Sequence, residues 1–372
     1  MAKVQGGRTY KMSGFDQTRR GLIGGLAATG PLAACATGLP GARRMIQVNL
    51  ADTPLPPAPA DAPPPPSDDA ILQAGFDPVQ RMTVPVMIEG KGPFTFVVDT
   101  GANHSVLSIE TAQSLGLPSG GSAAIHGIAG VEPAETVYVR QLAIGSVVTK
   151  RIRMPLVARR NLGADGLLGV DVLTRRDVQL DFERNRFNIA PSNSSFRQTM
   201  TTGGTGRLAT PVVNPNIVVV PARYRFGQLT IIDAEVGVGL PITAFLDSGA
   251  QSTVGNLALR DASYLQEPGL ALRTMRVQLV SATGQTVSGD LARLPGLRLG
   301  GLRIGNLSCV FADLHTFKIW DLVDRPAILI GMDVMRHFKT IELDFGRREV
   351  VFETGAKTAP AVVGLPGSAP PT

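Results

Sequence analysis

The sequence predicts an all-β fold built twice over, and three observations predict it. Gly (42) and Pro (28) are abundant among 372 residues while charged residues make up only 18%, a balance that favours short strands joined by turns over a helical bundle. An apolar strand that delivers an Asp to a Gly turn occurs at residues 94–109 and again at 242–254, the second Asp 148 positions after the first. Further landmarks recur in the same order after each copy. That ordered recurrence is far more specific than either motif alone, because Asp-Thr-Gly recurs by chance.

In chain order, residues 1–36 read as an export segment. Thr18-Arg19-Arg20-Gly21-Leu22-Ile23, followed by an uncharged Gly/Ala-rich stretch, resembles a twin-arginine signal. Leu32-Ala33-Ala34-Cys35 has the form of a lipobox, in which Cys35 is acylated; an ordinary small-residue cleavage site at Ala34-Cys35-Ala36 is the alternative. Gly21, Gly24, Gly25, Gly30 and Pro31 make the stretch too weakly apolar for a retained membrane span. The expected location is therefore outside the cytoplasm, periplasmic or lipid-anchored to the cell envelope. Residues 37–78 form a spacer around the Pro-rich run 51–68, which cannot pack a core and should be extended. Two halves, 79–190 and 211–354, flank a linker at 191–210, and 355–372 is a Pro/Gly/Ala tail expected to be disordered.

Within the first half, Val84 to Ile88 and the strand ending at Val98 flank a Gly/Pro turn at residues 89–93. A short helix is expected over 109–115, stopped by Gly116-Leu117-Pro118. The Gly-rich stretch 119–130, ahead of Thr136-Val137-Tyr138-Val139, reads as a projecting hairpin with Gly127 and Gly130 as candidate flap positions. Leu167-Leu168-Gly169 closes the half, followed by segments 177–181 and 186–189 around a tight turn. The second half repeats these as Leu246-Asp247-Ser248-Gly249, the loop 281–285 with Gly284, Leu329-Ile330-Gly331, and Leu343-Asp344-Phe345-Gly346-Arg347. The offset grows from 148 at the Asp to 162 at the closing Gly, so the second half carries about fourteen extra residues, assigned to 313–326 around Trp320.

Several function classes lose support. The formal charge is +6, but residues 1–34 hold five basic side chains against one acid, leaving a body near +2 with no basic run or aromatic platform for a nucleic acid. With only Cys35 and Cys309, no disulfide framework is expected, and Cys309 reads as a small buried strand residue. His104, His126, His315 and His337 are dispersed without ligand spacing, so no metal and no cofactor is expected. Motifs of serine hydrolases, zinc proteases and phosphate loops are missing from the sequence. Asp171, Asp333, Asp181 and Asp344 also repeat, but they sit at helix starts or strand ends, where capping and turn roles suffice.

Two adjacent carboxyls sharing one proton supply both the base and the acid that peptide hydrolysis requires. Asp99 and Asp247 are the candidates, and Gly101 and Gly249 let the backbone turn and approach closely beside each. Val97-Val98-Asp99-Thr100-Gly101-Ala102 with Leu167-Leu168-Gly169, and Phe245-Leu246-Asp247-Ser248-Gly249-Ala250 with Leu329-Ile330-Gly331, resemble a retropepsin-like aspartic protease over about residues 80–353, with both half-sites fused in one chain as in pepsins. The resemblance implies two closed barrels related by a pseudo-twofold axis, a cleft between them, and hairpin flaps above it. It also implies that Thr100 and Ser248 hydrogen-bond across the axis and that Gly169 and Gly331 pack beneath the site. Two departures stand out: Ala102 and Ala250 follow the glycines where pepsins carry Ser, and neither Gly-rich loop contains Tyr. The expected function is endopeptidase action on extended polypeptide by a monomer. The alternative is an exported peptide-binding lipoprotein that kept the fold without turnover.

Overall fold

The computed structural model describes residues 46–49, 70–192, 216–225 and 227–355, and for 46–49 the backbone alone. The export segment with Cys35, the Pro-rich run, the linker beyond Ser192 and the tail beyond Gly355 lie outside the described residues.

Before and within the first half, the strands are β1 (Ile46–Asn49), β2 (Ala70–Gln73), β3 (Gly75–Phe76), β4 (Met82–Ile88), β5 (Lys91–Val98), β6 (Val106–Ser108), β7 (Ser119–His126), β8 (Val131–Ile144), β9 (Val147–Val157), β10 (Gly166–Leu168), β11 (Arg176–Asp181) and β12 (Arg186–Pro191). The helices among them are α1 (Ile109–Leu115), α2 (Arg159–Leu162) and α3 (Val170–Leu173). The second half comprises β13 (Ile217–Arg225), β14 (Gln228–Val236), β15 (Leu240–Leu246), β16 (Val254–Gly255), β17 (Met275–Val280), β18 (Thr286–Leu294), β19 (Leu297–Leu299), β20 (Leu302–Gly305), β21 (Leu307–Ala312), β22 (Ala327–Ile330), β23 (Thr340–Asp344) and β24 (Glu349–Glu353). Its helices are α4 (Leu257–Gln266), α5 (His315–Ile319) and α6 (Met332–Met335). The helix expected over 109–115 is α1: the Ser108 side chain accepts from Thr111 N–H at 3.0 Å, and Gly116 ends it in the left-handed region at φ 62°.

β4, β5, β10, β6, β9 and β8 form a six-stranded sheet in that order, closed into a barrel by pairing of β4 with β8. β7 extends β8 beyond the barrel as a hairpin. The second half uses the same order, β14-β15-β22-β16-β21-β18, with β17 as the hairpin partner of β18. Here the part of the long β8 is divided. β18 ends before Pro295 and Gly296, and β19 resumes to pair with β14, as β8 pairs with β4. Pro supplies no N–H to a ladder, and the Gly at φ 146° turns the chain, so the break is local chemistry. Beneath both barrels runs a shared antiparallel sheet, β13-β24-β23-β11-β12-β2, in which β11 of the first half pairs with β23 of the second. Strands also flank the Pro-rich run on both sides: β1 pairs in parallel with β20, and β2 pairs with β12, so the stretch expected as spacer over 37–78 contains structure of its own.

The duplicated frame is packed differently in its two copies. At the β5–β10 pairing, Gly166 lies opposite Phe96, and a Cβ on Gly166 would meet the Phe96 ring at 2.3 Å. At the matching β15–β22 pairing, Ile328 lies opposite Ala244. The large member has changed strands, and the pair's volume is preserved. We expect Gly166→Ala to destabilise the fold by about 1–3 kcal/mol through overpacking, and Phe96→Ala in the same chain to recover part of that loss. Denaturant unfolding of the two variants measures both, and additive losses would contradict the coupling.

Candidate active site

Each candidate Asp is delivered by a barrel strand that ends in mid-sheet. Asp99 N–H donates to Leu168 O at 2.9 Å and Asp247 N–H to Ile330 O at 2.9 Å, so β10 and β22 fix where the two motifs begin. The chain then turns so that two successive N–H groups face the carboxylate. Asp99 Oδ1 accepts from Gly101 (3.0 Å) and Ala102 (2.9 Å), and Asp247 Oδ1 accepts from Gly249 (3.0 Å) and Ala250 (3.1 Å). A Cβ on Gly101 would sit 2.4–2.6 Å from the Asp247 carboxyl group, and one on Gly249 would sit 2.3–2.4 Å from that of Asp99. Only glycine leaves room for each opposite carboxylate. The two Asp side chains are hydrogen-bonded to one another.

Thr100 and Ser248, both buried, lock the turns together beneath the carboxyls. Thr100 Oγ1 donates to Leu246 O at 2.8 Å and accepts from Ser248 N–H at 3.0 Å, while Ser248 Oγ donates to Val98 O at 2.7 Å and accepts from Thr100 N–H at 3.1 Å. Four bonds thus cross between the halves. Each hydroxyl both donates and accepts, a use that suits Thr or Ser and no apolar residue.

Gly169 and Gly331 lie directly beneath, where a Cβ would strike the backbone of His104–Ser105 at 2.5–2.8 Å or of Ser252 at 2.7 Å. Their surroundings correct the reading of Asp171 and Asp333 as capping residues. Neither carboxylate caps its helix; the N-cap residues are the two glycines, without side-chain bonds. Instead, Gly169 N–H donates to Ser105 Oγ (3.0 Å), which donates to Asp171 (2.7 Å), and Gly331 N–H donates to Thr253 Oγ1 (3.0 Å), which donates to Asp333 (2.7 Å). Each brace ties a closing Gly to the segment that follows an active-site turn. Asp181 and Asp344 do serve turns, accepting from Arg184 N–H and from Gly346 and Arg347 N–H.

A further residue had no signature in the sequence. Gln228, buried at the start of β14, donates its side-chain amide to Gly101 O (3.1 Å) and Asn103 Oδ1 (2.8 Å), so the second half holds the first half's turn. Cys309 is a fully buried thiol on β21, pushed well up by burial and suited to packing rather than reaction. Among the described residues, no three His, Cys, Asp or Glu side chains gather as metal ligands. Gly127 and Gly130 stand at the tip of the β7–β8 hairpin, where Gly127 N–H donates to Gly130 O at 2.8 Å, and Gly284 occupies the β17–β18 turn at φ 89°.

The pair's electrostatics follow from crowding. Burial raises the Asp99 carboxyl, opposed by the Gly101 N–H, the Arg81 charge and the Ala102 N–H. Burial also raises Asp247, and the neighbouring Asp99 charge adds to it, so that this carboxyl is pushed up to about 7. The retained proton belongs to the coupled pair rather than to one oxygen. Arg81, which pairs with Asp77 at 2.7 Å and donates to Leu162 O at 2.5 Å, draws both carboxyls the other way. The arrangement can hold one proton between two oxygens.

A carboxyl raised in the folded state binds more protons folded than unfolded, so it costs stability as pH climbs from its ordinary value of 3.8 toward about 7, and the cost is constant beyond. Asn at 247 keeps the acceptor oxygen for Gly249 and Ala250 but carries no charge. Asp247→Asn should therefore melt above the unsubstituted protein by a few degrees at pH 7.5 and by less at pH 4, as read by calorimetry. A larger gain at pH 4 than at pH 7.5 would reverse the sign of the argument.

The family model described as Aspartyl protease matches residues 84–172 and 232–334, both copies of the repeat. No curated protein matches the chain. Among solved structures, it is similar to a retropepsin-like aspartic protease from Rickettsia conorii, at 20% identity over 32% of this chain and 89% of that one, with a TM-score of 0.25.

Proposed function

This chain belongs to the aspartyl protease family, and we propose that it is an endopeptidase whose catalytic pair is Asp99 and Asp247, one from each half. The observation that carries the reading is the reciprocal seat of the two carboxyls, each against the opposite glycine and hydrogen-bonded to the other. With one proton on the pair, the ionised carboxylate removes a proton from a water molecule as its oxygen attacks the peptide carbonyl carbon. The protonated carboxyl gives its proton to the carbonyl oxygen. When the tetrahedral adduct collapses, the amide nitrogen takes a proton from one carboxyl, the C–N bond breaks and the amine leaves, and the other carboxylate takes the proton from one hydroxyl of the adduct as that oxygen becomes the new carbonyl. Thr100, Ser248 and the two glycines keep the geometry while the proton changes sides.

The substrate class is extended polypeptide, which can lie in the cleft as an added strand beneath the β7–β8 and β17–β18 hairpins. Both half-sites lie in one chain, so catalysis needs no second copy. Export with acylation at Cys35 completes the proposal. Mass spectrometry of the envelope fraction of a Gram-negative host should find acyl chains on Cys35, whereas an unmodified N-terminus beginning after it would favour simple cleavage.

We expect Asp99→Asn and Asp247→Asn each to lower kcat at least about a thousandfold while the fold persists, because one carboxyl cannot act as acid and base together. Cleavage by the unsubstituted protein should fall as pH rises through about 7, where the shared proton leaves. The assay is incubation of the protein with a denatured protein mixture from pH 3 to 8, followed by sequencing of the cut ends. Substantial turnover in either Asn variant would exclude the shared pair. Tight peptide binding without cleavage at any pH would leave the binding lipoprotein as the better reading.

A further inference from the structure

The tips of the two hairpins are tied to opposite halves, and only one of the ties contains titratable groups. At the β17–β18 tip, Thr283 O accepts from the Asn161 side chain of the first half at 3.0 Å. At the β7–β8 tip, His126 Nδ1 and His315 Nε2, 189 residues apart in sequence, lie 3.0 Å from each other, with the two rings inclined by only 13°. His315 N–H donates to Ile128 O at 2.8 Å, and the Ile128 side chain packs on the cluster of Phe245, Phe317 and Trp320. The tips also meet: a Cβ on Gly127 would lie 3.5 Å from Thr283 Oγ1. Each half thus anchors its hairpin tip on the other half. His315 opens α5, which joins β21 to β22 where α2, the helix that carries Asn161, joins β9 to β10, so the extra residues assigned to 313–326 only lengthen a connection both halves possess, and the duplication places both ties while their side chains differ.

We propose that His126 and His315 are positioning residues for the first-half flap, a latch that holds it closed while at least one ring is neutral and releases it when both are protonated. A bond between two ring nitrogens needs an N–H on one and a lone pair on the other. Two neutral rings satisfy this, and one charged ring satisfies it more strongly. Two imidazolium rings present only donors and repel. The first proton leaves the contact in place and its charge opposes the second, so the contact is lost only in acid that charges both rings. The charged groups on the surrounding elements are Glu132 on β8, beside the cross-strand partner of His126, and Asp313 with Lys318 around α5, which pair with each other at 2.8 Å. The facing turn contributes Ser281, Thr283 and Gln285, all uncharged, and the charges on its strands, Arg276 and Asp290, pair at 2.9 Å. None of these presents a lone pair between the rings that would preserve the contact once both are charged. A polypeptide can enter the cleft only when the flap lifts, and the latch makes that step easier in acid, where the carboxyl pair holds its proton.

The kinetic part of this inference rests on the protease reading, and the conformational part does not. Trp320 is the only tryptophan in the chain and lies in the cluster that Ile128 covers, so its acrylamide quenching reports flap docking without any substrate. In the unsubstituted protein, quenching should stay low near neutrality and rise in acid, where both rings are charged. His126→Asn places an amide near the position of Nδ1 that bonds His315 without titrating, and quenching should stay low across the range. His126→Ala removes the bond, and quenching should be high throughout. In peptide cleavage the effect falls on KM: at pH 7.5 it should be about fivefold lower in His126→Ala, and in the acid where quenching of the unsubstituted protein has risen it should be about fivefold higher in His126→Asn, the weight of one net hydrogen bond. A flat quenching profile in the unsubstituted protein, or a His126→Asn profile that follows it, overturns the latch. Titrating quenching in a protein that cleaves nothing upholds the latch and removes the protease reading.

Discussion

The constraint on which this structure depends is the confinement of two carboxyl groups against each other's backbone. Like charges that close do not both stay ionised, and crowding by protein raises both carboxyls further. An arrangement of that kind survives only on a frame that cannot spread. The frame is built in layers: N–H groups of Gly101, Ala102, Gly249 and Ala250 hold the carboxylates, the Thr100–Ser248 crossing holds the turns, and the Ser105–Asp171 and Thr253–Asp333 braces hold the segments around them. Beneath these, the shared sheet joins the halves through β11 and β23. In the layers nearest the carboxyls, the hydroxyls of Thr100, Ser248, Ser105 and Thr253 each both donate and accept, and this holds a crowded pair of acids in one geometry.

The landmarks legible in the sequence are those whose chemistry is local. A strand, an Asp and a Gly within a few residues specify a turn wherever they occur, and repetition in order made the pairing of the two motifs visible before any coordinate. Ser108 and Gly116 likewise bounded α1 from side-chain and backbone preferences alone. Contacts made at long range left no such trace. Asp171 and Asp333 stand one residue into their helices, where acids are common for reasons of the helix dipole, so their bonds to Ser105 and Thr253 could not be told from an ordinary helix start. Gln228 reads as any polar residue at a strand end. Dispersed histidines exclude a local ligand motif but say nothing of a pair brought together by two different loops. The strands β1 and β2 were hidden by the composition of the Pro-rich run between them.

Departures from the internal symmetry are as informative as the symmetry. Gly166 with Phe96 becomes Ile328 with Ala244, the continuous β8 becomes β18 and β19, and the short connection through α2 becomes a longer one through α5 that carries Phe317 and Trp320. Packing explains the first of these and Pro295-Gly296 the second. The third changes what the hairpin tips meet, because Phe317 and Trp320 give the first-half hairpin an apolar seat, whereas the second-half hairpin tip is held by the polar side chain of Asn161.

Fusion of the halves makes such differences possible. Where two identical chains build a site about a twofold axis, every residue acts twice, so a side chain that helps one turn must be tolerated at the other. In a single chain, Gln228 can brace the Gly101 turn while the matching region of the first half carries Arg81, whose charge reaches both carboxyls. The two Asp residues then stand in surroundings that no symmetry forces to be equal. Paired acid and base groups work with proton affinities held apart, and a single chain is free to vary the surroundings of each carboxyl separately, a freedom that a pair of identical chains lacks.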